Sequence, residues 1–245
     1  MFDRRPPSPV FDRRLVALSA RRSFEAEQFR RLRHCLEDLA VRKNVRVVAV
    51  TSAASHDGKT MTSINLAASL AQARQSRVLL IDADLRRPNV AATLRVDDEP
   101  GLLRLLATGG TDIETYVRRV PGTTLDVVPC ERRRTDTYEI LTAPSFQTCL
   151  EKARAVYSTV IVDTPPVVPV PDSSLLARLV DGYLVVVAAN ATPRKLLGEA
   201  LTLLDPSSVL GLVFNRDPRP LFGYYGAYHD AYFQPHAGSP REIEA

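Results

Sequence analysis

Residues 45–60 read VRVVAVTSAASHDGKT, and this stretch decides the fold. The run from Val45 to Thr51 is short, almost wholly apolar and rich in β-branched side chains, as a strand buried on both faces is. After it comes a loop that ends in Gly58, Lys59 and Thr60, and a helical pattern runs on from Lys59 to Ala73. A buried strand that enters a helix through Gly-Lys-Thr is a phosphate-binding loop. Its backbone amides and the helix N-terminus point at an anion, the Lys59 ammonium neutralises β and γ phosphates, and the Thr60 hydroxyl ligates Mg2+. The candidate nucleotide-binding residues are therefore Ser55, His56, Asp57, Gly58, Lys59, Thr60 and Met61. The usual leading glycine is Ala53 here, and Ser55 and His56 stand where related loops often have Pro and Gly. A side chain in such a place can strain the loop or crowd the phosphates.

Outward from the loop, β-rich runs alternate with helical runs. Strands are predicted at residues 45–51, 78–81, 125–128, 159–162, 182–187 and 209–214, and helices at 24–40, 59–73, 102–107, 145–155, 173–179 and 194–204. Such alternation means an α/β fold, a mostly parallel sheet covered by helices on both faces. Ligands in these sheets bind beyond the carboxyl ends of the strands. Two such ends carry acids. The run VLLIDADLRRP at residues 78–88 places Asp82 and Asp84 one residue apart, and alternation sends both to the same side. Close carboxylates repel unless a cation lies between them, which suits Mg2+ or a proton acceptor for an attacking hydroxyl. An ion pair of Asp84 with Arg86 or Arg87 is compatible with this. At residues 160–166, VIVDTPP puts Asp163 where a Walker B carboxylate holds Mg2+.

Composition bounds the remaining possibilities. The chain has 245 residues and 3 Cys, with no spacing typical of a metal site, so the cysteines read as reduced thiols and a disulfide scaffold is excluded. No apolar run reaches the roughly 18 residues of a membrane span, and no secretory leader is evident, which predicts a cytoplasmic chain. Residues 1–46 carry 12 Lys+Arg against 6 Asp+Glu, a net +6, whereas residues 47–245 carry 20 against 22. The body is no basic nucleic-acid binder. The predicted organisation is an Arg- and Pro-rich flexible arm over residues 1–22, a nucleotide-binding domain over 23–215 and a flexible tail over 216–245.

Together the three motifs resemble the bacterial tyrosine kinases, cytoplasmic P-loop enzymes of capsule and exopolysaccharide systems with a ParA/MinD-like architecture. The resemblance spans about residues 23–233 and is carried by LLIDADLRRP at 79–88 and DTPP at 163–166, beside the Gly-Lys-Thr loop. It implies that Lys59 and Thr60 bind ATP and Mg2+, that Asp163 belongs to the metal shell, and that Asp82 and Asp84 serve the metal and the incoming tyrosine hydroxyl. Asn215, just past the last strand, resembles the residue that reads adenine in related ATPases. One departure is the segment 130–135, CERRRT, where the family usually has a Gly- and Pro-rich loop.

Two further features agree with the resemblance. Glu27, Arg30 and Arg33 in the first helix look like the family's E-x-x-R-x-x-R oligomerisation element, and their spacing places them near one helix face. Tyr224, Tyr225, Tyr228 and Tyr232 put half of the chain's 8 tyrosines within nine residues, among Gly223, Gly226 and Ala227. Such a tract without periodicity predicts exposed phenols, and some 30 residues at about 3.3 Å each reach a neighbouring subunit. Family likeness makes these tyrosines the autophosphorylation cluster of a ring-forming homo-oligomer that acts on protein tyrosines. It implies a transmembrane polysaccharide co-polymerase or adaptor as activator and a place at the inner face of the membrane through that partner. The rival readings are a ParA/MinD-like ATPase switch and a weakly active scaffold of a polysaccharide export complex. The first expects a Lys near the start of the loop, where Ala53 and Ala54 stand.

Overall fold

The computed structural model describes residues 11–132, 136–170 and 172–217. The strands are β1 (Val47–Ser52), β2 (Val78–Asp82), β3 (Arg118–Arg119), β4 (Leu125–Val128), β5 (Thr159–Asp163), β6 (Gly182–Ala188) and β7 (Val209–Asn215). Their order in one seven-stranded sheet is β3-β4-β2-β5-β1-β6-β7. Every pairing is parallel except β3 with β4. The helices are α1 (Val16–Ser19), α2 (Phe24–Lys43), α3 (Lys59–Ala71), α4 (Val90–Leu94), α5 (Leu102–Ala107), α6 (Ile113–Tyr116), α7 (Thr137–Thr142), α8 (Pro144–Val156), α9 (Asp172–Leu175) and α10 (Arg194–Leu203).

Strand alternation sorts the core into two layers. Val47 and Ala49 of β1, with Leu79, Ile81, Val160, Val162 and Val185, pack against Phe146, Cys149 and Leu150 of α8 and against α5. The residues between them, Val48, Val50, Leu80, Ile161 and Val186, face Ile64, Leu66 and Ala67 of α3. Because both faces are covered, the central strands need no polar side chains until they run out, and polarity at their carboxyl ends marks the site. Helix α3 is covered in turn by α2 and α1, so nearly its whole surface is buried.

Local chemistry sets the helix ends. Ser23 caps α2 by accepting from the Ala26 amide at 3.1 Å, Glu25 and Glu27 occupy the first turn, and Arg42 and Lys43 the last. Asn44, in the left-handed region at φ 55°, then ends the helix three residues beyond its expected stop. Pro144 opens α8 as an N-terminal proline does. The helix expected over 173–179 is shorter, α9 passing into a 3-10 turn over Leu176–Arg178.

The arm differs from expectation. Over residues 11–19 it is built into the core, with Leu15 fully buried and α1 formed beside it. The cause lies 50 residues downstream. Asn65 of α3 accepts from the Ala17 amide at 2.9 Å and donates to the Arg14 carbonyl at 3.0 Å, while Gln72 donates to the Ala17 carbonyl at 2.8 Å. These bonds give an otherwise unpaired segment of backbone its partners. Pro6, Pro7 and Pro9, on which the expectation of an irregular arm rests, lie outside the described residues.

Replacing Leu15 by Ala is therefore expected to cost about 2–5 kcal/mol of unfolding free energy, the range for a buried leucine. Denaturant unfolding at constant slope measures it; a loss under about 0.5 kcal/mol would mean that the arm is solvated.

Candidate active site

The phosphate-binding loop is fixed from three sides. Asp57 is buried, accepting the Ala54 amide at 3.1 Å and the Thr192 hydroxyl at 2.8 Å; Thr192 Oγ1 also accepts the Ala188 amide at 2.9 Å. Asn215 at the end of β7 donates its side-chain amide to the Asp57 carbonyl at 2.9 Å. Thr51 donates to the Pro165 carbonyl at 2.8 Å. Of the nucleotide-binding candidates, Ser55, His56, Gly58, Lys59, Thr60 and Met61 line a cavity of about 1030 Å3, at the upper end of what small-molecule sites occupy. Asp57 and Asn215 instead spend their polar atoms on the loop's own frame.

Backbone conformation explains two of the residue choices. Gly58 has φ 98°, and a Cβ there would lie 2.1 Å from Asn215 Nδ2, so only glycine fits. His56 has φ 70°, a left-handed conformation that stores strain in a side-chain-bearing residue. It supplies a left-handed turn of the loop, and its exposed side chain lines the cavity.

The acids converge as the strand register requires. Asp82 and Asp163 are direct partners at the carboxyl ends of β2 and β5, neighbouring strands that lie about 5 Å apart. Asp163 accepts from Thr60 Oγ1 at 2.7 Å and Ser63 Oγ at 2.9 Å. Lys59 Nζ lies 2.5 Å from Asp84 Oδ2 and 3.8 Å from Asp163 Oδ2. Asp84 lines the cavity, while Asp82 lies fully buried and accepts the amides of Asn89 and Val90, both at 3.0 Å. The ion pair considered for Asp84 is thus made with Lys59. Arg86 turns to Asp172 in a two-pronged pair at 2.7 and 3.0 Å, and Arg87 gives Asp84 only its backbone amide.

This crowding perturbs titration. Burial, then the charge of Asp163, raises Asp82 to about 8. Burial also raises Asp163, against the pull of Lys59, Thr60 and Ser63. For Lys59 burial acts downward, but the charges of Asp163 and Asp84 outweigh it and hold the ammonium firmly protonated. Three buried acids share one ammonium, so Asp82 keeps its proton, and a cation placed among them would favour its ionised form.

Outside the loop, Glu27 and Arg30 are paired, with Arg30 Nε 2.7 Å from Glu27 Oε2. Arg33 bonds Glu37 at 2.8 Å and the Ser69 carbonyl of α3 at 3.1 Å. In the unusual 130–135 segment, the buried Glu131 carboxylate accepts the amides of Gly101, Leu103 and Arg104 at the start of α5, which brings Arg132 to the cavity wall. Tyr224, Tyr225, Tyr228 and Tyr232 lie outside the described residues. Thr192, Asp172, Arg132 and Arg216 belong to the site yet carry no motif. The signal that pointed near them was their place just past a strand or loop already marked, as Arg216 follows Asn215.

Comparison with known proteins agrees with this geometry. A family model described as an AAA domain matches residues 45–200. The tyrosine-protein kinase YwqD of Bacillus subtilis (strain 168) is 31% identical over 219 residues, which cover 87% of this chain and 92% of that protein. The chain belongs to the bacterial tyrosine kinase family. The kinase domain of Escherichia coli tyrosine kinase ETK superposes with a TM-score of 0.80 at 27% identity, covering 90% of this chain and 86% of that one. The succinoglycan biosynthesis transport protein ExoP of Rhizobium meliloti (strain 1021) is 31% identical over 221 residues; these cover 88% of this chain but only 28% of ExoP. Within this tyrosine kinase, Asp84 and Lys59 form the cavity side of the acidic cluster, and Asp82 and Asp163 its buried back.

Gly58→Ala is expected to weaken nucleotide binding at least tenfold, measured by calorimetry. Adding Asn215→Ala removes the clash but not the positive φ, so the double variant is expected to recover only part of the loss. Asp82 makes a separate prediction. A carboxyl raised in the folded state holds its proton there after the unfolded chain has lost it, so stability falls as pH rises from about 4 towards about 8. In chelator, Asp82→Asn should flatten that part of the melting-temperature profile; an unchanged slope would show that Asp82 is not its source.

Proposed function

We propose that this chain is an ATP-dependent, Mg2+-requiring protein tyrosine kinase that phosphorylates Tyr224, Tyr225, Tyr228 and Tyr232 of a neighbouring copy. The observation that carries the reading is Lys59 at the mouth of a phosphate-binding loop, held between Asp84 and Asp163. In the reaction the acceptor phenol oxygen forms a bond to the γ-phosphorus, the bond from that phosphorus to the bridging oxygen breaks, and ADP leaves with the electron pair. Loop amides and Lys59 stabilise the charge on the transferring group. The phenolic proton passes to a carboxylate, for which Asp82 and Asp84 are the candidates beside Lys59.

Among the described residues no cluster of three or more His, Cys, Asp or Glu forms a metal cage. The donor set suits Mg2+ nonetheless, since Mg2+ takes one or two carboxylates and leaves its other positions to phosphates and water. Thr60 Oγ1 and Asp163, 2.7 Å apart, with Asp82 in register beside them, are the residues that would hold it. Bound there, Mg2+ would neutralise charge on the phosphates.

Each phosphotyrosine adds about −1.5 to −2 charge, so a phosphorylated tail opposes packing of subunits in a ring. Glu27, Arg30 and Arg33 are the proposed contacts of that ring. Likeness to ExoP, named a succinoglycan biosynthesis transport protein, supports a role in capsule or exopolysaccharide synthesis or export. Among the described residues no helix is long and apolar enough to cross a membrane. Likeness to ExoP also supports the proposal that the kinase sits at the inner face of the membrane through a transmembrane polysaccharide co-polymerase that activates it.

Incubation with ATP and Mg2+ followed by phosphotyrosine detection tests the proposal. Lys59→Met is expected to lower the signal about 100- to 1000-fold, and joint replacement of the four tail tyrosines by Phe to remove most self-labelling while sparing an added substrate. ATP hydrolysis without phosphotyrosine, even with the cytoplasmic part of the partner present, would favour the ATPase switch instead.

A further inference from the structure

The run that supplies Asp82 and Asp84 continues as Leu85, Arg86 and Arg87, and this segment wraps around its own acids. The Arg87 amide donates to the Asp84 carbonyl at 3.1 Å and to Asp84 Oδ1 at 3.0 Å, while the amides of Asn89 and Val90 close on Asp82 Oδ2. The backbone of Arg86 is thereby fixed two residues from Asp84. Its side chain is fixed at the other end, where Nε donates to Asp172 Oδ2 at 2.7 Å and Nη2 to Asp172 Oδ1 at 3.0 Å. Asp172 opens α9, so the pair also ties the segment after β5 to the segment after β2. The rotamer freedom that an arginine must give up to hold a ligand is already given up here.

The pair is lopsided. Asp172 is buried, whereas 46% of the Arg86 side chain is exposed, and Arg86 lines the nucleotide cavity together with Lys59, Thr60 and Asp84. A carboxylate taken out of water for one half-exposed partner gains little stability, so stability is a poor account of the arrangement. Orientation is a better one. Pairing through Nε and Nη2 leaves Nη1, which has no hydrogen-bond partner among the described residues, as a donor of fixed direction. Lys59, which would meet the phosphates, is bound to Asp84, a candidate acceptor of the phenolic proton. Phosphoryl group and phenol would therefore meet beside those two residues, next along the chain to Arg86.

We propose that Arg86 donates to the phosphoryl group under transfer and that Asp172 is the positioning residue that aims it. The inference deepens the tyrosine kinase reading and rests on it. The moving phosphoryl spreads its charge over its equatorial oxygens, and a donor already oriented needs no reorganisation to meet that charge. Arg86 keeps its protons throughout, and the bonds made and broken are those of the reaction given above.

The test compares ADP with a non-hydrolysable ATP analogue, each with Mg2+, by calorimetry on the full chain, and adds steady-state transfer to a synthetic tyrosine peptide. Asp172→Asn keeps the size of the side chain and an oxygen to accept from Arg86 but loses the charge and one arm of the pair. It is expected to weaken the analogue about tenfold or more and ADP less than about threefold, and to lower kcat about tenfold or more at a nearly unchanged peptide KM. Arg86→Gln, which still donates to Asp172 and so leaves no bare buried charge, is expected to lower kcat at least as much. Adding Asp172→Asn to Arg86→Gln should then cost less than about threefold more, because Asp172 acts through Arg86. Equal weakening of ADP and the analogue, a kcat within about threefold of the parent's, or losses that multiply in the double variant would each overturn the proposal. Binding of ADP and the analogue needs no transfer, so a parent chain that binds both yet makes no phosphotyrosine would fail the kinase reading and leave this comparison to be read by itself.

Discussion

Two carboxylates stand side by side where β2 and β5 end, Asp82 opposite Asp163, and nearly everything around them answers that constraint. Two acids buried on neighbouring strands do not readily both ionise, so Asp82 holds its proton well above the usual carboxylate range, and fixed donors serve both groups. Thr60 and Ser63 bond Asp163, the amides of Asn89 and Val90 bond Asp82, and Lys59 reaches Asp84 and Asp163 together. Lys59 and Thr60, the groups proposed to meet phosphate and metal, are therefore the same groups that make the acidic cluster tolerable. On that proposal a triphosphate drawing Lys59 away would leave the acids in need of a cation, coupling nucleotide and metal through charge.

The loop that carries Lys59 depends equally on distant parts of the chain. Asp57 ties it to Thr192 after β6, and Asn215 ties it to the end of β7. Gly58 leaves room for that amide, and His56 accepts a left-handed backbone so that the loop can turn. The ends of β1, β6 and β7 thus act as one rim. Asn215, which family likeness links to adenine, is here a strut of the phosphate loop.

The places along the chain that carry the chemistry are legible in the sequence. Buried strands read as near-continuous apolar runs, and the acids that end two of them, Asp82 and Asp163, mark the site. What stayed hidden rests on pairs far apart in sequence. Residues 11–19 look like part of a solvated arm because their partners are far off in sequence, Asn65 on α3 and Gln72 at its C-terminal cap. Asp172 and Thr192 belong to no motif, and only folding brings them to Arg86 and Asp57. The short helices α4 and α6 have too few residues to display a period. The role of Glu131 shows only once its three amide partners at the start of α5 are in place.

Function follows from one end of the sheet, where the carboxyl ends of the strands gather an ammonium, three acids and a loop of amides around a cavity suited to a nucleotide. The account stands or falls on the acidic cluster as a metal-dependent nucleotide site. Calorimetric titration with ADP, with Mg2+ and then in chelator, measures this directly: an affinity at least tenfold tighter with Mg2+, and that gain lost in Asp163→Asn, is the predicted result. Equal affinity in both conditions, or a gain unaffected by Asp163→Asn, would contradict it.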